Sequence, residues 1–73
     1  MKKLSDAKVG DYVKVIQNDA QDSLKERFLA LGLTNGANIE VLRNGPKNNL
    51  TVFRIRGAMI ALRKEESKYI EII

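Results

Sequence analysis

Apolar and polar positions alternate along several short stretches of the chain, and in one place the alternation gives way to helical spacing. The segment KVGDYVKVIQ (8–17) opens with a Gly-Asp turn signal and continues with Tyr12, Val13, Val15 and Ile16, the aromatic and β-branched mix of a strand. Val13 and Val15 fall on one face and Lys14 on the other, which predicts a half-buried strand. A second strand runs through Ile39 and Val41. In LTVFRIR, Thr51, Phe53 and Ile55 share one face while Arg54 and Arg56 take the other, and Val52 breaks the alternation, as at a bulge or a position buried on both sides. Gly57 and Ala58 predict a tight turn into MIAL (59–62). KEESKY (64–69) gives one helical turn at most, and IEII closes the chain with Ile70 and Ile72 on one face.

Helical spacing occupies NDAQDSLKERFLALG. Ser23 and Glu26 stand three apart, the spacing of a capping box in which each side chain satisfies a free backbone N–H at a helix start. Leu24, Phe28 and Leu31 follow at i, i+4 and i+7 as a single apolar stripe, with Lys25 and Glu26 off it. Gly32 falls where a helix end wants a left-handed residue, and Leu33 can fold back on the last turn in a Schellman ending. Asn35 and Gly36 then tolerate positive φ, so the chain turns sharply and leaves as a strand. NGPKNN (44–49) is a second turn cluster. The sum is about five short strands with one helix inserted after the first. This predicts a mainly β fold, a small SH3-like barrel whose closure removes edges that a short chain could not otherwise protect.

Composition narrows the chemistry. With 73 residues the chain is expected to be a single domain, 1–73, at the size where one core leaves only a few kcal/mol of stability. The absence of Cys and His removes disulfides, thiolate ligands, the Cys nucleophile, the usual general base and the commonest transition-metal ligand, so an enzyme is not expected. AMIAL (58–62) is too short to span a bilayer, and no apolar signal core follows the two N-terminal lysines, which points to a soluble intracellular protein without membrane insertion. The formal charge is +4, and from Val41 to Lys64 the basic residues Arg43, Lys47, Arg54, Arg56, Arg63 and Lys64 are interrupted by no Asp or Glu. Acidic residues gather at Asp19, Asp22 and Glu26 and again at Glu65 and Glu66, so opposite faces of different sign are expected.

The stretch RFLALGLTNGANIEV, from Arg27 to Val41, resembles the FeoA family (ferrous iron transport protein A), whose pattern runs Arg-Leu, Gly-Leu, Pro-Gly and then an apolar strand. The Gly45-Pro46 turn, the strand ending at Gly57, and the MIALR segment with Glu66 and Ile70 are similar to the rest of that domain, so the resemblance covers about Val9 to Ile72. Phe28 stands where the family usually has Leu, Asn35 where it usually has Pro, Asn49 where a second turn Pro is common, and Ser67 where Ala is common. Asn suits a turn as Pro does, and Phe28 keeps the apolar stripe while changing the shape of any surface it presents.

The resemblance implies an SH3-like barrel with an inserted helix, located in the cytoplasm and accessory to FeoB, a membrane ferrous-iron transporter with a GTP-binding cytosolic domain. It implies a protein without a cofactor that neither transports nor catalyses, and instead binds the transporter's cytosolic part. The expected partner-binding residues are Leu24, Arg27, Phe28 and Leu31 on the helix, with Gly32, Leu33 and Gly36 in the connection that holds it. The same stripe also serves as a core face, and Arg27 serves equally as a solvated or locally paired residue. Ferrous iron favours imidazole with carboxylate, and only carboxylates are on offer, so no metal site is expected. Asp19, Asp22 and Glu26 make at most a weak patch for a hard cation, and negative charge at a helix N-terminus accounts for them as well.

Two other readings start from the same residues. KVGDYVKVI resembles the opening of the KOW motif of nucleic-acid-binding barrels, and segment 41–64 is basic. Against it, Tyr12, Phe28, Phe53 and Tyr69 are scattered rather than alternating with basic residues, and a capped helix follows where the KOW pattern has a second strand, so nucleic acid is not the expected partner. The pattern is also similar to the SH3-like C-terminal domain of iron-dependent repressors of the DtxR type, but the chain holds no helix-turn-helix.

Overall fold

The computed structural model describes residues 2–45 and 49–73, so Pro46, Lys47 and Asn48 of the expected second turn lie outside the described residues. In chain order the elements are β1 (Lys2–Lys3), a 3-10 turn (Leu4–Asp6), β2 (Tyr12–Asn18), α1 (Asp22–Ala30), β3 (Asn38–Asn44), β4 (Leu50–Ile55), β5 (Ala58–Arg63), α2 (Lys64–Ser67) and β6 (Ile70–Ile72). All strand pairs are antiparallel, in the order β1-β6-β2-β3-β4-β5. The five expected strands are β2 to β6, and the sixth is the two-residue β1, which pairs Lys2 with Ile72.

The period-two pattern decides what is inside. Val15, Ile39, Val41, Phe53, Ile55, Leu62, Ile70 and Ile72 are buried from the strands, Leu4 joins them from the 3-10 turn, and Phe28 and Leu33 close one side. Strand β2 serves both halves of the sheet: its first residues pair with β3 and its last with β6. The register slips between Val15 and Gln17, so Ile16 is an extra residue that bends the strand where it passes from one half to the other. A second slip, between Val41 and Arg43, leaves Leu42 extra on β3 opposite Val52 and Phe53. The interruption at Val52 therefore reflects a bulge on the facing strand.

The turn between β4 and β5 differs from expectation by one residue. Ile55 pairs with Ala58, so the two turn residues are Arg56 (φ 50°) and Gly57 (φ 81°), a type I′ hairpin turn rather than a Gly57-Ala58 turn. Such a turn matches the right-handed twist of the strands but needs positive φ at both positions, which is uncommon for arginine. Arg56 is held there by its side chain, whose Nε donates to the Gly32 carbonyl (3.2 Å) and Nη2 to the Thr34 hydroxyl (2.7 Å).

Candidate functional site

The C-terminal end of α1 follows its sequence closely. The N–H of Leu33 donates to the Phe28 carbonyl (2.9 Å), the N–H of Gly32 donates to the Leu29 carbonyl (3.0 Å), and Gly32 takes φ 97°. These two bonds and the left-handed residue define a Schellman ending, with Leu33 packed in the same core as Phe28. A Cβ on Gly32 would also stand 2.8 Å from the Arg56 Cδ, so a larger residue there is strained by the backbone and must displace the Arg56 side chain. The chain then turns at Asn35-Gly36, with Ala37 N–H bonded to the Thr34 carbonyl and φ 87° at Gly36 alone. That is a type II turn with Asn35 at the position where proline is favoured.

The N-terminal end does not form the expected capping box. The extended residue before the helix is Gln21, Asp22 takes φ 54°, and no side chain caps the first turn, which places Ser23 inside the helix. Asn18, buried at the end of β2, does the fastening instead: its Oδ1 accepts the Ala20 N–H (3.0 Å) and its Nδ2 reaches the Lys25 carbonyl at 3.4 Å.

The structure separates the predicted partner-binding residues. Phe28 and Leu33 have no exposed surface, so neither is a contact residue: the stripe's central position points into the barrel because a short helix over a small core must spend its largest side chain there. Leu24 and Leu31 are half-buried, and Arg27 is exposed and bridges to Glu66 of α2 (Nη1 to Oε2, 2.7 Å). Gly36 lies elsewhere, in a cleft of about 320 Å³ with Tyr12, Asn38, Arg54 and Arg56.

What remains on the helix side is a ridge between two shallow depressions. One, of about 380 Å³, is lined by Asp19, Gln21, Leu24 and Tyr69, and the other, of about 430 Å³, by Gln17, Asn18, Lys25, Leu29, Thr34 and Asn35. Leu29 is 45% exposed and Tyr69 38%, and neither was singled out by spacing: Leu29 falls off the stripe, and Tyr69 reaches α1 only through the fold. Leu24, Leu31 and Tyr69 thus lie with Arg27 on one flank of the ridge, while Leu29, about 140° around the helix from Leu24, lies on the other.

Two acidic groups on this side are fastened by ion pairs, Glu66 to Arg27 and Asp19 to Lys3. The Glu66 carboxyl is held below the ordinary carboxylate range, chiefly by the Arg63 backbone N–H (3.0 Å) and then by Arg27. Asp19 is likewise lowered, by hydrogen bonding with Glu71 and then Gln17, with the Lys3 ammonium 3.7 Å away. Asp19 is therefore committed to β6 and β1 rather than to Asp22 and Glu26. Among the described residues no three acidic groups converge as a metal site, and no helix is long and apolar enough to cross a membrane.

The chain matches the FeoA domain family over residues 2–73. The FeoA protein of Chlorobium tepidum has a TM-score of 0.90 at 31% identity, over 97% of this chain and 68% of that one. FeoA of Stenotrophomonas maltophilia, complexed with zinc and described as a prokaryotic SH3 domain protein, has a TM-score of 0.88 at 21% identity, over 100% of this chain and 91% of that one. A manganese-dependent transcriptional repressor gives a TM-score of 0.88 at 19% identity, over 99% of this chain and 40% of its own. The last two likenesses show the fold alone, an SH3-like one. The chain matches no curated protein sequence.

Proposed function

This chain belongs to the FeoA domain family, its match running over residues 2–73, and from that premise we propose a small cytosolic accessory protein of ferrous iron uptake that neither transports nor catalyses. It acts by binding the cytosolic GTP-binding part of a FeoB-like membrane transporter. The family match carries this reading. Its support in the geometry is the flank of α1 beside α2 and β6, where Leu24, Arg27, Leu31 and Tyr69 offer a contact surface, while Phe28 and Leu33 anchor the helix and Gly32 and Gly36 shape the connection after it. An apolar surface with one arginine, rimmed by polar groups, suits a protein interface.

The test is a heteronuclear NMR titration of the labelled chain with the cytosolic GTP-binding domain of a FeoB transporter, and separately with a short DNA duplex at moderate salt. Shifts confined to α1 and Tyr69, absent with the duplex and abolished by Tyr69→Asp without a change in melting temperature, support the reading. Salt-sensitive shifts from Arg43 to Lys64 with the duplex alone replace it by a nucleic-acid-binding barrel.

A further inference from the structure

The two ends of the sheet are unlike. At one end, β1 is two lysines long, a short and charged edge of the kind that discourages further pairing. At the other, β5 runs for six residues, AMIALR, and among the described residues nothing pairs with its outer side.

The register shows which groups that edge offers. The residues flanking a two-residue type I′ turn form a hydrogen-bonded pair, so Ile55 and Ala58, Phe53 and Ile60, and Thr51 and Leu62 exchange backbone bonds across β4 and β5. The backbone groups of Met59, Ala61 and Arg63 therefore point away from β4. The Arg63 N–H is taken by Glu66, which leaves both groups of Met59 and of Ala61 and the Arg63 carbonyl facing out. Met59 is 60% exposed and Ala61 is exposed as well, so neither carries a charge or a bulky shield over those groups.

We propose that β5 accepts an extended acidic segment of a partner protein as an additional antiparallel strand. The charge around the edge selects the occupant. Arg56, Arg63 and Lys64 lie on β5 or at its ends and are exposed, and outnumber the acidic groups beside them, Glu66 being bound to the Arg63 N–H and Glu40 being paired with Arg54 of β4. A second copy paired about the middle of β5 would bring Arg56 of one chain toward Arg63 and Lys64 of the other, so self-association is opposed by like charge. An acidic strand meets the same groups favourably, with main-chain bonds supplying affinity and Met59, Ala61 and the half-buried Ile60 supplying side-chain contact.

The probe is a short capped peptide of alternating glutamate and valine, titrated at low salt into the labelled full chain, with a lysine-valine peptide of equal length as control. The expected result is a set of shifts along Ala58–Arg63 and slowed exchange of the Met59 and Ala61 amides with the acidic peptide only. Ala61→Pro removes an outward N–H without touching the β4 ladder, and it should weaken binding about tenfold. Arg63→Glu leaves the backbone intact and should weaken binding by a similar factor, so the proposal stays testable if the proline variant fails to fold. Equal binding of both peptides, shifts at Lys2–Lys3 or α1 in place of β5, unchanged affinity in the folded variants, or dimerisation of the free chain through β5 would each overturn it.

Discussion

At its C-terminal end α1 is closed by residues drawn from its own last turns and the two that follow, whereas at its N-terminal end it is fastened by Asn18, a residue of the preceding strand. The first closure is assembled from Phe28, Leu29, Gly32 and Leu33, whose bonds span at most five positions. The second depends on β2 and the helix start being brought together, and the local pair Ser23 and Glu26 contributes no cap. Sequence spacing thus predicts a helix end when the partners are neighbours in the chain, and it misplaces one when a tertiary neighbour fills the same need first.

The comparison breaks most visibly at Phe28. If the closed end is anchored by its buried ring, Phe28→Asp leaves a carboxylate in an apolar core and should cost about 4 kcal/mol or more. A single core in a chain of this length supplies only about 3–5 kcal/mol in total, so circular dichroism at room temperature should show a largely unfolded protein. A variant that keeps the wild-type melting temperature would put Phe28 on the surface and restore it as a contact residue.

Asn18 and Ser23 sharpen the same contrast. Removing the Asn18 side chain leaves the Ala20 N–H without its acceptor in a buried setting, so Asn18→Ala should cost about 1–2 kcal/mol in urea unfolding. Ser23→Ala, by contrast, removes an exposed hydroxyl from the first turn and should change stability by less than about 0.5 kcal/mol. Equal losses at the two positions would mean that Ser23 caps the helix in solution.

The same distinction separates what could be read elsewhere. Strand identity was legible because period-two burial is local: Thr51, Phe53 and Ile55 needed only their own alternation to be placed inside. The turn after them was displaced by one residue because arginine is a poor choice at φ 50°, and what holds it there is the pair of bonds to Gly32 and Thr34, more than twenty positions away. The proposed contact surface was legible in part. Leu24 and Leu31 follow from helical spacing and Arg27 from the family resemblance, but spacing cannot say which member of a stripe points at the core, nor that Tyr69 lies beside Leu24.

The smallest expected effect concerns Glu66, which ties α2 to α1 through Arg27. Its carboxyl is lowered in the folded state, by the Arg63 N–H first and by Arg27 after partial burial has opposed it, so the ionised form favours folding. The contribution is complete above the ordinary glutamate range and is lost as pH falls through the lowered folded value. Because the pair with Arg27 lies largely in solvent, Glu66→Gln should cost only about 0.5 kcal/mol at neutral pH. The wild type should lose this margin on acidification while the variant does not, so their melting temperatures should converge below the carboxylate range. Curves that stay parallel throughout would show that Glu66 titrates alike in folded and unfolded chains and that the bridge between α1 and α2 adds nothing to the stability of the ridge.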